Sequence, residues 1–167
     1  MKQKILIAVE VFVIVGLSVG IARYFVSRYY AGPYVTIPVS IDDAHFEKLA
    51  WRHDLKPLQH IFGNIEGMEK CYWQKATINQ NDRPCEVYRG FIVLKQADFK
   101  KLKAEYRWET NGGDLLTEVA SEATGYHNFK WSYNQDFDNK VIPSGFDGGL
   151  RLDLQNGVIY FYLDDGR

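Results

Sequence analysis

The sequence predicts an α+β domain set behind an N-terminal membrane helix, and three observations support this. Residues 5–26, ILIAVEVFVIVGLSVGIARYFV, form an apolar run long enough to cross a bilayer. Beyond it, apolar residues recur at helical spacing in some stretches and alternate in others. Near the end, two alternating apolar runs flank Asn156-Gly157, a hairpin signal. The expected fold is a mainly antiparallel sheet ending in a hairpin over 150–163, with two to four short helices. The anchor region is 1–30, and the remainder, 31–167, has the size of one compact domain.

As a helix, the anchor would be about 33 Å long at 1.5 Å per residue. Lys2 and Lys4 followed by the small residues Gly20 and Ala22 also suit a cleaved signal, but the apolar run exceeds the usual ~7–15 residues of one. Tyr24, Phe25, Tyr29 and Tyr30, with Arg23 and Arg28, suit a retained helix at a headgroup layer. Glu10 is anomalous there, since a carboxylate in hydrocarbon costs on the order of 2.5–3.5 kcal/mol. Gly16-Leu-Ser-Val-Gly20 is a GxxxG pattern through which a second helix can approach. Glu10, Gly16 and Gly20 are therefore candidate membrane-helix contacts.

Flanking charge does not orient this helix, because Lys2 and Lys4 are balanced by Arg23 and Arg28. Two features favour an outside domain: only four residues precede the run, and Cys71 and Cys85 form an isolated even pair. A disulfide between them, closing ~15 residues, would contribute about 3 kcal/mol. No Asn-x-Ser/Thr triplet occurs. The expected location is the bacterial inner membrane, single-pass, with the domain in the periplasm.

Setting aside Lys2, Lys4, Arg23 and Arg28 from 20 Lys and Arg, and Glu10 from 21 Asp and Glu, leaves 16 against 20, a formal −4 for the domain. That balance argues against nucleic-acid binding and against a domain lying on anionic lipid.

After Ala31-Gly-Pro33, Tyr34 to Val39 reads as extended. Phe46, Leu49, Ala50 and His53 predict a helix over Asp42 to Asp54. Pro57 interrupts, and Leu58, Ile61 and Phe62 predict a short second turn ended by Gly63. His45, His53 and His60 lack metal-ligand spacing, so no metal or cofactor site is expected. Residues 68–79 and 86–94 predict paired strands with a polar loop between Cys71 and Cys85. Residues 97–108 predict a helix with Lys100, Lys101 and Lys103 solvated, and Leu115 to Ala123 a second one, with Gly125 after it. Phe129, Trp131 and Tyr133 alternate with polar residues, marking a strand whose aromatic row is a candidate ligand platform. Asn134 to Asn139 reads as a polar loop lacking the glycine and glutamate of a calcium site. In the last hairpin, a two-residue turn pairs Leu154 with Ile159, Leu152 with Phe161 and Leu150 with Leu163, placing all six on one face.

No nucleophile elbow, phosphate loop or HExxH motif occurs, and no catalytic residue is assigned. The expected function is non-catalytic binding of another protein by the anchored domain, as an accessory subunit or an immunity-type inhibitor. The alternatives are a glycan or peptidoglycan reader working through its aromatics and a small hydrolase, whose carboxylates could be a pair such as Asp136 and Asp138.

Overall fold

A computed structural model describes Phe46 and residues 49–80, 83–110 and 115–165. The predicted anchor with Glu10, Gly16 and Gly20, the start of the helix predicted from Asp42, and His45 lie outside the described residues. Among the described residues no helix is long and apolar enough to cross a membrane.

The domain is α+β. Among the described residues, six strands form one antiparallel sheet: β1 (Met68–Gln80), β2 (Arg83–Leu94), β3 (Glu109–Thr110), β4 (Trp131–Tyr133), β5 (Asp147–Asp153) and β6 (Val158–Asp164), in the order β1-β2-β6-β5-β4-β3. The first hairpin therefore lies at one margin, and the chain crosses to the far edge before returning strand by strand to close against β2. Among the described residues, four further elements are helices that accompany the sheet: α1 (Leu55–Ile61), α2 (Gln96–Glu105), α3 (Leu115–Thr124) and α4 (Gln135–Val141).

Both faces of the sheet are covered, which is why the middle strand β6 is buried from Val158 to Leu163. On one face Trp73, Ile92, Leu150, Leu152, Ile159, Phe161 and Leu163 meet Leu58 and Phe62 near α1, Phe99 of α2, and Phe137 and Val141 of α4. On the other, Val87, Phe91, Val93, Val158, Tyr160 and Tyr162 meet Ala120 of α3, Trp131 and Phe46.

Three local expectations are corrected. Residues 49–54 are not helical: Arg52 makes a two-way backbone bridge with Trp73 (2.8 and 3.0 Å) and lays its guanidinium over the indole at 4.1 Å. Backbone pairing to a sheet edge here overrides helical spacing. Pro57 does not interrupt α1, because it occupies the first turn, where its missing N–H has no intrahelical partner to lose. Asn134 to Asn139 belongs to α4, not to a loop: Asn134 is the N-cap, its Oδ1 accepting the Phe137 N–H at 2.9 Å.

The last hairpin keeps its predicted faces but not its register. Leu152 pairs with Ile159, Leu150 with Phe161 and Gly148 with Leu163, a shift of two residues. The cause is Asp153, fully buried, which turns the chain early. Its carboxylate accepts the N–H groups of Gln155 (3.1 Å) and Asn156 (2.7 Å), and its carbonyl accepts that of Gly157 (3.2 Å). The loop is thus Leu154 to Gly157, with Gly157 at φ +73° and packed against the Phe99 ring where a Cβ would collide. An even shift leaves every side chain on its original face.

Candidate functional site

A groove of about 280 Å³ lies between α2, α4 and the 63–66 loop. Its floor is Ile65, Leu94, Leu102, Phe137 and Val141; its rim carries Glu66, Asp98, Lys101, Glu105, Tyr106 and Lys140. Helical periodicity places Phe99 inward and Leu102 on the groove side of α2, while the two lysines adjoining Leu102 turn outward. Lys103, in the last turn, donates to the Leu154 carbonyl at 2.8 Å and ties α2 to the β5–β6 loop.

The walls are joined by polar links across the sequence. Lys101 Nζ lies 3.0 Å from Glu66 Oε2, and Lys140 Nζ lies 3.0 Å from Glu105 Oε1. Lys140 also donates to the Tyr106 hydroxyl at 3.1 Å, and Asn64 Nδ2 donates to the Lys140 carbonyl at 2.9 Å. The Tyr106 hydroxyl and the Glu105 carboxylate together push the Lys140 ammonium up to about 12, and Lys140 holds the Glu105 carboxyl below its usual range. Glu105 is therefore an ionised, acceptor-only rim group near neutral pH. These pairs are exposed and add little stability, but they fix where each sign of charge is presented.

One carboxyl group departs strongly from its ordinary state. Asp138, on α4, accepts the Leu150 N–H at 3.3 Å where β5 extends past the short β4 and, on that side, pairs with no strand among the described residues. Burial pushes it up to about 6, against the opposing effects of the Leu150 N–H and the Arg151 guanidinium. Arg151 in turn donates to the Leu150 carbonyl at 2.7 Å. Asp138 and Arg151 thus complete an unfilled stretch of sheet edge. Asp136 stands two positions away on the same helix, so the two carboxylates point in widely different directions and do not flank a common substrate.

The cysteine pairing is overturned. Cys71 sits opposite Ile92 and Cys85 opposite Ile78, seven ladder positions apart, or about 23 Å along the strands. An odd separation also sends the two thiols to opposite faces of the sheet, and each is free and buried. A disulfide needs Cα atoms about 4.4–6.8 Å apart, so these two cannot bridge within the chain. Burial, with the Asp54 charge second, pushes Cys71 up to about 11; burial also raises Cys85. The presumed loop between them is mostly strand.

The aromatic row is divided between settings. Trp131 is buried, stacked on Phe129 with centroids 5.0 Å apart and planes 2° from parallel, and it packs toward Phe91. Tyr133 lies under Arg151 and donates its hydroxyl to Glu109 at 2.7 Å. The three rings do not form one exposed plane. His53 stands edge-on to Tyr72 at 5.2 Å, and His60 is exposed on α1. Among the described residues no three His, Cys, Asp or Glu side chains converge as metal ligands.

Local spacing marks Lys101 only as solvated and singles out none of Glu66, Glu105 or Lys140. Each ion pair joins residues 35 positions apart, which no local spacing encodes. In comparisons with known proteins, no family model, no curated protein and no solved structure matches the chain.

Proposed function

We propose that the chain is a single-pass membrane protein of the bacterial inner membrane whose domain, held in the periplasm, binds another protein and catalyses no reaction. The observation that carries the binding part is the groove between α2 and α4. It combines an apolar floor with a rim of fixed opposite charges, the anatomy of a protein contact patch. At about 280 Å³ it is smaller than a typical small-molecule pocket of ~300–1,000 Å³ and suits one or two side chains of a partner. Anchoring rests on the apolar run over 5–26. With Cys71 and Cys85 held apart, the outward placement loses the disulfide as support, and since Lys2 and Lys4 are balanced by Arg23 and Arg28 it is labelling of intact spheroplasts that decides it.

Affinity capture of the full-length protein, solubilised from its native membrane, tests the reading. Wild type should retain a specific protein, and Lys101→Glu with Lys140→Glu, both at exposed positions, should reduce its recovery at least tenfold without changing the melting temperature by more than a few degrees. Equal recovery by the variant would remove the groove as the binding surface. Placement is tested separately by Lys100→Cys, an exposed position. A membrane-impermeant maleimide should label it in intact spheroplasts, and labelling only after lysis would reverse the orientation.

A further inference from the structure

Among the described residues, the outer edge of β1 is open over the half that lies beyond Arg52. Because both backbone groups of Trp73 bond to Arg52, away from β2, the odd-numbered residues of this regular strand present their N–H and C=O outward. Lys75, Thr77 and Asn79 are the next in that series, and among the described residues no backbone group meets them. Edge strands are usually guarded by an outward lysine, a proline or a bulge. Here Lys75 is turned away, its ammonium 2.6 Å from Glu86 and over the Tyr88 ring at 5.3 Å. No proline or register shift interrupts β1 between Lys75 and Asn79.

We propose that this edge pairs with the same edge of a second copy of the chain, antiparallel about a two-fold axis at Thr77. In that register Lys75 faces Asn79 of the other copy, Thr77 faces its equivalent, and Ala76 faces Ile78. Every outward N–H and C=O of the three residues finds a partner. No like charges are brought opposite each other, a threonine pair forms on one face, and on the other Ile78, which is half-buried, gains an apolar neighbour. The match is self-complementary, as an isologous contact requires. Its length is bounded on one side by the Arg52 bridge and on the other by the end of the hairpin at Gln80 and Arg83. Five paired residues make a small interface, weaker than a standard one. Confinement of both copies to one membrane would raise their effective concentration enough to populate it.

The test uses the full-length protein in its own membranes. Thr77→Cys would place two thiols across the axis at a Cα separation of about 5.5 Å, within disulfide range. Mild oxidation should convert most of this variant to a covalent homodimer, while Lys100→Cys on α2 stays monomeric; the native Cys71 and Cys85 are buried and take no part. Co-expressed Lys75→Cys and Asn79→Cys chains should cross-link to each other at least tenfold more than either does to itself. Thr77 and Asn79 are exposed, so these substitutions leave the core intact. Absence of the Thr77→Cys dimer, a mixed disulfide with a different protein, or Lys75→Cys self-linking as strong as the mixed pair would each overturn the proposal.

Discussion

The two long hairpins of this domain illustrate different rules. β5–β6 occupies the middle of the sheet, where both faces are covered, and six consecutive side chains of β6 are buried. β1–β2 lies at the margin; it extends past the end of β6 at the pairs from Thr77–Glu86 to Gln80–Arg83 and carries exposed residues toward its tip. In the middle hairpin burial dictates which face each residue takes, and the turn decides register. In the marginal hairpin little burial dictates the tip, so polar contacts and the free edge matter more. Gly90 shows the tighter end of that hairpin: opposite Trp73, a methyl group there would collide with the Tyr72 carbonyl and the Trp73 backbone.

Substitutions can sharpen this contrast or break it. Phe161→Ala should have the largest effect, because its ring is fully buried and packs edge-on against Phe62 at 5.0 Å. A loss of about 3–5 kcal/mol is expected by urea denaturation, enough to unfold much of a marginally stable domain. A loss below 1 kcal/mol would mean the middle of the sheet is not the organising core.

Asp153→Ala comes next, at about 3 kcal/mol, since it removes the acceptor for Lys130, Gln155 and Asn156 N–H groups. Hydrogen exchange at those amides should accelerate more than at β1; unchanged exchange there would show that the carboxylate does not set the turn.

Asp138→Asn is expected to stabilise. The folded carboxyl titrates near 6 against an ordinary 3.8, so the folded state holds its proton more tightly. The stabilising share is therefore present below about 4 and lost as pH rises through about 6. Asparagine keeps an acceptor for the Leu150 N–H without the buried charge. Near neutral pH the variant should gain about 2 kcal/mol and lose the wild-type decline across that window; a parallel decline in both proteins would assign the titration to another group.

The smallest effects belong to the margin. Lys75→Ala should change stability by under about 1 kcal/mol, its ion pair with Glu86 being partly exposed. Cys71 and Cys85 should resist alkylation in the native protein and both react after denaturation without reductant. If neither reacts once unfolded, they are bridged to something, contrary to the register.

Alternating apolar residues made the faces of β5 and β6 readable in advance, and the strands of β1–β2 were legible to within a few positions at their inner ends. The turn at Asp153 was not, because a dipeptide with strong hairpin preference stood next to a carboxylate whose N–H partners are visible only in three dimensions. The helix expected through Asp54 failed for a related reason: Arg52 answers to Trp73, 21 positions away. Paired thiols were expected from composition alone, whereas strand parity separates them. The groove was illegible because its rim is assembled from side chains that meet only after the sheet has formed.

The arrangement of strands also bears on how the domain comes together during synthesis. β1 and β2 can zip as soon as both are made, yet the other side of β2 must wait for β6, with Val93 pairing to Val158, 65 positions further along the chain. Until then β2 offers the apolar series Val87, Phe91 and Val93 without its eventual neighbours. Such long-range closure slows folding and leaves an adhesive intermediate. Nascent chains halted before Val158 should therefore bind chaperones far longer than chains halted just after β6 has emerged.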